Sequence, residues 1–139
     1  MIRIAVMVIL TASPALAEPG GLDVVVSNIR SAKGEIRVAV CDRVNFTKAV
    51  CPYRGRAPAV VGEVVVHIAN IPPGTYAAEA FQDETGSGKI ERTFFGLPKE
   101  GIGFSRDAPM RFGPPSFEDA MFSLDKSVSR IGLALRYFQ

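Results

Sequence analysis

The chain contains no tryptophan and a single histidine, His67. One imidazole excludes multi-histidine metal centres. As a catalytic base it would need a nucleophile and an orienting acid, and no G-x-S-x-G segment or Cys–His pattern provides them. His67 therefore reads as a surface or structural side chain, facing solvent or a sheet edge between Val66 and Ile68. Cysteine is equally scarce, with only Cys41 and Cys51, and neither a CxxC spacing nor a nearby histidine accompanies them. That argues against a zinc site or a redox couple. Runs of basic residues are missing too, which argues against capture of nucleic acid by phosphate neutralisation. Helical periodicity of useful length is absent throughout.

The N-terminus supplies what the rest of the chain lacks, a continuous apolar run. Arg3 precedes Ile4 to Leu10, and Ala15-Leu16-Ala17 follows with the small-x-small pattern that signal peptidase accepts. A spanning helix needs roughly 20 apolar residues, and Thr11, Ser13 and Pro14 interrupt this one. The expectation is a cleaved signal peptide over residues 1–17, a single domain over residues 18–139, a periplasmic or secreted location, and no transmembrane segment after processing. Cleavage leaves 122 of 139 residues and removes one of 16 basic side chains, so 15 cations face 14 carboxylates. In an oxidising compartment Cys41 and Cys51 are expected to pair. Closing that short loop would stabilise the fold by about 2–3 kcal/mol.

Strand signals dominate the remainder. Leu22–Ile29 and Glu35–Cys41 are rich in β-branched residues and flank the turn SAKG. In the second run Ile36, Val38 and Val40 share one face, and Glu35, Arg37 and Ala39 the other. Glu63–Ile68 repeats the alternation, with Gly62 marking a bulge or the strand start. Pro72-Pro73-Gly74 forces a turn before Tyr76–Phe81. Ala120–Leu124 and Arg130–Phe138 alternate again near the C-terminus. SFEDA offers one helical turn, in which Ser116 and Asp119 have capping-box spacing. Many short strands with Gly/Pro-rich turns predict an all-β fold, an antiparallel immunoglobulin-like (prealbumin-like) β-sandwich of about seven strands. The span from Asp83 to Pro115 reads as long ordered loops capping one end.

The segment DETGSGKIE, Asp83 to Glu91, has the outline of a calcium loop. Asp83, Thr85 and Ser87 fall on ligand positions 1, 3 and 5, Gly88 on the sharp turn and Glu91 on position 9. Position 12, where a bidentate acid is needed, holds Phe94. A polar turn whose side chains bond the local backbone is the preferred reading, with no metal and no cofactor expected. Glu100, Arg106, Asp107, Arg111, Glu118 and Asp119 crowd the Gly/Pro-rich half. Two carboxylates there could act as a general acid and base. The plainer expectation is that Arg111 pairs with Glu118 or Asp119 to pin loops onto the sandwich, worth about 0–1 kcal/mol if exposed. Phe94, Phe95, Phe104, Phe112 and Phe117 are expected to anchor those loops on the sheet.

The ordered series PPGTY, D-E-x-G-x-G-K, FG-x-PKEG-x-GFS and FGPPSFEDA resembles the bacterial domain-of-unknown-function family numbered 2141. The resemblance implies a small secreted protein with an immunoglobulin-like or prealbumin-like sandwich, and no known reaction. Where family members resemble HDENGNGKLD, this chain reads QDETGSGKIE, so Gln82 stands in place of an imidazole and Thr85 and Ser87 in place of two amides. The functional expectation is a non-enzymatic exported binding or accessory module. Asp83, Glu100, Arg111, Glu118 and Asp119 are its candidate ligand residues, and its partner would be an envelope protein, a glycan or a small molecule. The alternatives are an envelope-acting hydrolase using loop carboxylates and a purely structural assembly domain.

Overall fold

Leu22, Val24 and Val26 are fully buried while Asp23, Val25 and Ser27 between them are partly exposed, the two-residue period of a strand with one face in a core. The computed structural model describes residues 4–11, 20–48, 50–90, 98–125 and 127–138. The cleavage series Ala15-Leu16-Ala17, with Arg3, lies outside the described residues, as do Glu91, Phe94 and Phe95. The elements in chain order are β1 (Gly20–Ile29), β2 (Glu35–Cys41), β3 (Tyr53–Pro58), β4 (Gly62–Ile71), β5 (Gly74–Asp83), β6 (Ile102–Phe104), a 3-10 turn (Ser105–Asp107), α1 (Phe117–Ala120), β7 (Phe122–Leu124) and β8 (Ser129–Ala134). Among the described residues no helix is long and apolar enough to cross a membrane.

Two sheets form. The smaller has the order β4-β1-β8, and the larger runs β3-β2-β5-β6 with β7 also on β5. Their buried faces meet in one core. Leu22, Val24, Val26, Val66, Ile68 and Leu133 come from the smaller sheet, and Ile36, Val38, Val40, Ala78 and Ala80 from the larger. Each buried Val, Leu or Ile contributes about 1.5–3 kcal/mol relative to exposure. Registers such as Val24 opposite Val66, Val38 opposite Ala80 and Val40 opposite Ala78 keep these side chains on the inner faces.

The larger sheet carries apolar residues on its outer face as well, at one end. Cys41 and Ala77 there are covered by Phe46, Cys51, Phe104, Ala108, Phe117 and Ala120, which form a second buried cluster. Phe46 meets Phe104 and Phe117 edge-on at centroid distances of 6.0 and 5.9 Å. The Cys41–Cys51 disulfide ties the β2–β3 loop to this cluster. Ser105 is buried, accepts the Ala78 N–H at 2.9 Å and donates to the Ala120 carbonyl, joining β5 to α1. The Ser116 hydroxyl accepts the Asp119 N–H at 3.2 Å, so the capping-box spacing does cap α1.

Three expectations are corrected. The described residues hold eight strands, not about seven, because Tyr53–Pro58 and Ile102–Phe104 also pair. Tyr53–Pro58 has no β-branched residue and Ile102–Phe104 is only three residues long, so neither shows a strand pattern on its own. The sandwich is not purely antiparallel, since β8 runs parallel to β1 with Val24 opposite Ile131 and Val26 opposite Leu133. Finally, Phe104 and Phe117 are buried anchors as expected, but Phe112 is fully exposed.

Candidate functional site

The DETGSGK stretch is a turn built around one carboxylate. Asp83 ends β5 with its side chain 1% exposed. Its Oδ1 accepts the Gly86 and Ser87 N–H groups at 3.0 and 3.1 Å, and its Oδ2 accepts the Gly88 N–H at 2.8 Å and Arg37 Nε at 2.9 Å. Gly86 and Gly88 both have positive φ, which lets consecutive N–H groups point inward. Burial on its own would raise the Asp83 pKa. The Gly88 N–H, the Arg37 guanidinium and the Gly86 N–H outweigh it and hold the carboxyl below its ordinary value. A cation needs the lone pairs that these four donors already fill, so the turn is wired as an anion's cradle. Among the described residues no three His, Cys, Asp or Glu side chains converge as a metal site requires.

Gln82, the departure from the family pattern, is fully buried next to Asp83. Its Nε2 donates to Ser31 O, Ser31 Oγ and Lys33 O at 2.9–3.0 Å, which ties the β1–β2 turn to the end of β5. Among the described residues its Oε1 has no hydrogen-bond partner.

The other sequence-derived candidates do not all gather at one place. Glu118 and Asp119 sit on α1, Arg111 in the loop before it, and Glu100 is buried ahead of β6. Glu118 pairs with Arg43, whose guanidinium also lies 4.6 Å over the Phe117 ring. The hydrogen bond from Arg43 is the main cause holding the Glu118 carboxyl below its ordinary value. The expected Arg111 pairing is therefore corrected: Arg43 is the partner of Glu118, because the disulfide-tied loop brings it over α1. Among the described residues no ion pair joins Arg111 to Glu118 or Asp119. Arg111 and Asp119 instead line a shallow hollow of about 460 Å³ with Phe112 and Pro114. His67 is exposed on the smaller sheet, with Nδ1 2.7 Å from Asp23 Oδ1, and Arg130 lies 3.6 Å from the same carboxylate.

A further concavity lies apart from those candidates. It is a groove of about 640 Å³ on the outer face of the larger sheet, beside the second cluster. Strand alternation builds the floor. Arg37 and Ala39 on β2 lie opposite Arg56 and Arg54 on β3 and opposite Phe81 and Glu79 on β5. One wall is the disulfide-tied loop with Thr47, Lys48 and Cys51. The other is the Asp83-centred turn with Gly88, Lys89 and Ile90. Among the described residues, five cationic side chains and one carboxylate thus line the groove. Arg37 also reaches Glu35 at 3.4 Å, Arg56 reaches Glu35 at 3.7 Å, and Arg54 Nε donates to Cys51 O at 3.1 Å. The sequence signal for this site was the Arg54-Gly55-Arg56 pair at strand spacing, legible only once Tyr53–Pro58 is known to be a strand.

No curated protein and no solved structure matches the chain. Residues 24–131, most of its length, match the bacterial family described as "Uncharacterized protein conserved in bacteria (DUF2141)", and the chain belongs to that family.

Proposed function

We propose that the chain is an exported, non-enzymatic binding module that takes a small anionic ligand in the groove of the larger sheet. The observation that carries this reading is the lining: Arg37, Lys48, Arg54, Arg56 and Lys89 against Glu79. Its size falls in the range of about 300–1,000 Å³ typical of small-molecule sites. Its walls are fixed before any ligand arrives, one by the disulfide and one by the Asp83 hydrogen bonds, and such preorganisation lowers the entropic cost of binding. Export is supported by the Arg3, apolar and Ala-x-Ala series and by a disulfide of the kind that persists in oxidising compartments. An immunoglobulin-like sandwich is supported by Tyr76, near the start of β5, whose hydroxyl donates to the Pro72 carbonyl at 2.6 Å in the manner of a tyrosine corner. The hydrolase alternative draws little from Glu118, since a general acid needs a raised pKa and Arg43 lowers this one.

The test is a thermal melt in phosphate, sulfate or citrate against chloride at matched ionic strength. A ligand present at about 100 times its Kd stabilises the fold by about 2.7 kcal/mol, a shift of several degrees. The expected result is such a shift in the native protein and its loss in the Arg54→Gln/Arg56→Gln variant. Shifts of equal size in both proteins would overturn the assignment.

A further inference from the structure

We infer that the hollow beside α1 is a second binding site, suited to a neutral pyranose ring stacked on Phe112. It shares no lining residue with the groove of the larger sheet. The loop that forms it is stiff. Pro109, Pro114 and Pro115 fix φ on both sides of Phe112. Ala108 and Phe117, buried in the second cluster, anchor the loop at its two ends. The Ser116 cap then sets the turn of α1 that carries Asp119. Phe117 finds the core and Phe112 does not, so the backbone of this loop holds the Phe112 ring out in water.

The polar groups of the hollow are not spent on the scaffold. On α1 Glu118 goes to Arg43, while Asp119 lines the hollow together with Arg111. Among the described residues neither the Arg111 guanidinium nor the Asp119 carboxyl makes a side-chain hydrogen bond or ion pair. A guanidinium only donates and a carboxylate only accepts. A donor and an acceptor that share one hollow without pairing suit a ligand offering both roles close together. Hydroxyl groups do so, since each carries one donor and two lone pairs.

The aromatic ring selects among polyhydroxy compounds. Its face is electron-rich, and a pyranose presents a face of C–H groups with hydroxyls around the rim. Stacking covers the phenyl ring and leaves the rim hydroxyls for Arg111 and Asp119. An anion is opposed by Asp119 and a cation by Arg111, so a neutral ring fits better than either. The hollow is shallow, and its 460 Å³ lies within the range of about 300–1,000 Å³ of small-molecule sites. A protein partner fits less well. Phe112 is the one large apolar side chain exposed in the hollow among the described residues, and protein-binding faces bring several together.

The probes are maltotriose, cellotriose and tri-N-acetylchitotriose, with an oligoproline peptide beside them, titrated into the protein and followed by NMR. At least one trisaccharide is expected to shift the Phe112 ring and Arg111 Nε–H signals saturably. Phe112→Ala should weaken that binding about tenfold, and Phe112→Tyr, which keeps the stacking face, should retain it. Asp119→Asn keeps the backbone N–H that Ser116 accepts, so α1 stays capped while sugar affinity falls severalfold. Arg54→Gln/Arg56→Gln, in the groove, should leave sugar binding unchanged. No shift with any of the three sugars, undiminished binding in Phe112→Ala, or loss of binding in the groove variant overturns the inference. Shifts with oligoproline alone overturn it in favour of a peptide site.

Discussion

Replacing Asp83 with Asn removes one charge and one pair of acceptor sites from a buried position while keeping the side-chain shape. The amide oxygen can still accept from Gly86 and Ser87, but the amide nitrogen must then face the Gly88 N–H and Arg37 Nε, two donors at 2.8 and 2.9 Å. Two charge-assisted hydrogen bonds are lost, each worth about 1.5–3 kcal/mol. Arg37 is 30% exposed and keeps Glu35 at 3.4 Å, so water and that carboxylate recover part of the loss. The net destabilisation should be about 3 kcal/mol, a fall in Tm on the order of 10 °C. The pH dependence supplies a second check. The folded Asp83 pKa is depressed, so its contribution is fully present above the unfolded value near 3.9 and disappears as pH falls through the lower folded value. Urea melts of the native protein and Asp83→Asn should therefore differ by a constant amount at neutral pH and converge in strong acid. A difference under about 1 kcal/mol at neutral pH, or one that persists unchanged in acid, would refute the account of the turn.

Calcium at millimolar concentration should leave the melting curve of the native protein where a chelator leaves it, because the Asp83 lone pairs already hold N–H donors; a calcium-dependent rise that vanishes in Asp83→Ala would contradict this. Gly34→Ala should destabilise severely, since Gly34 has φ +68° and an added Cβ would collide with the Asp83 backbone carbonyl, whereas Gly86→Ala and Gly88→Ala, with positive φ but open space, should cost about 1–2 kcal/mol each in the same urea melts. Converting Cys41 and Cys51 to Ala should lower stability by about 2–3 kcal/mol and, by freeing one wall of the groove, weaken anion binding in calorimetry. His67→Ala should move the Asp23 carboxyl titration, followed by NMR, back up toward its ordinary value, because the hydrogen bond from His67 is the main cause of its depression.

The fold was legible where one strand carries its own hydrophobic pattern. Leu22, Val24 and Val26, and Ile36, Val38 and Val40, declare their buried faces by alternation alone, and both sets are fully or almost fully buried. The Ser116 cap and the Cys41–Cys51 pair were legible for the same reason, since each depends on residue type and short spacing rather than on distant neighbours. Direction and partner were not. Nothing local in Arg130–Ala134 says that it runs parallel to β1, and nothing in Arg43 says that it reaches Glu118, 75 positions away. YRGRAP failed for a different reason. Gly55 fits there because a Cβ would lie 2.8 Å from Ile68 and 2.9 Å from Val66, a close approach of the two sheets that propensity cannot register.

The candidate residues were drawn from the Gly/Pro-rich half because loops on a rigid scaffold usually carry function. In this chain the carboxylates of those loops are largely spent on the scaffold. Asp83 closes its own turn and holds Arg37, and Glu118 fastens Arg43 over Phe117. The cations that line the groove lie on strands, at Arg37, Arg54 and Arg56, and on the two loops that wall the sheet, at Lys48 and Lys89. Each stands alone in sequence, and the near balance of charge over the whole chain hides them. Only pairing β3 with β2, and the disulfide that sets the loop between them, turns isolated basic residues into a lined groove. The acidic half of the chemistry therefore builds the walls, and the basic half is left facing the space between them.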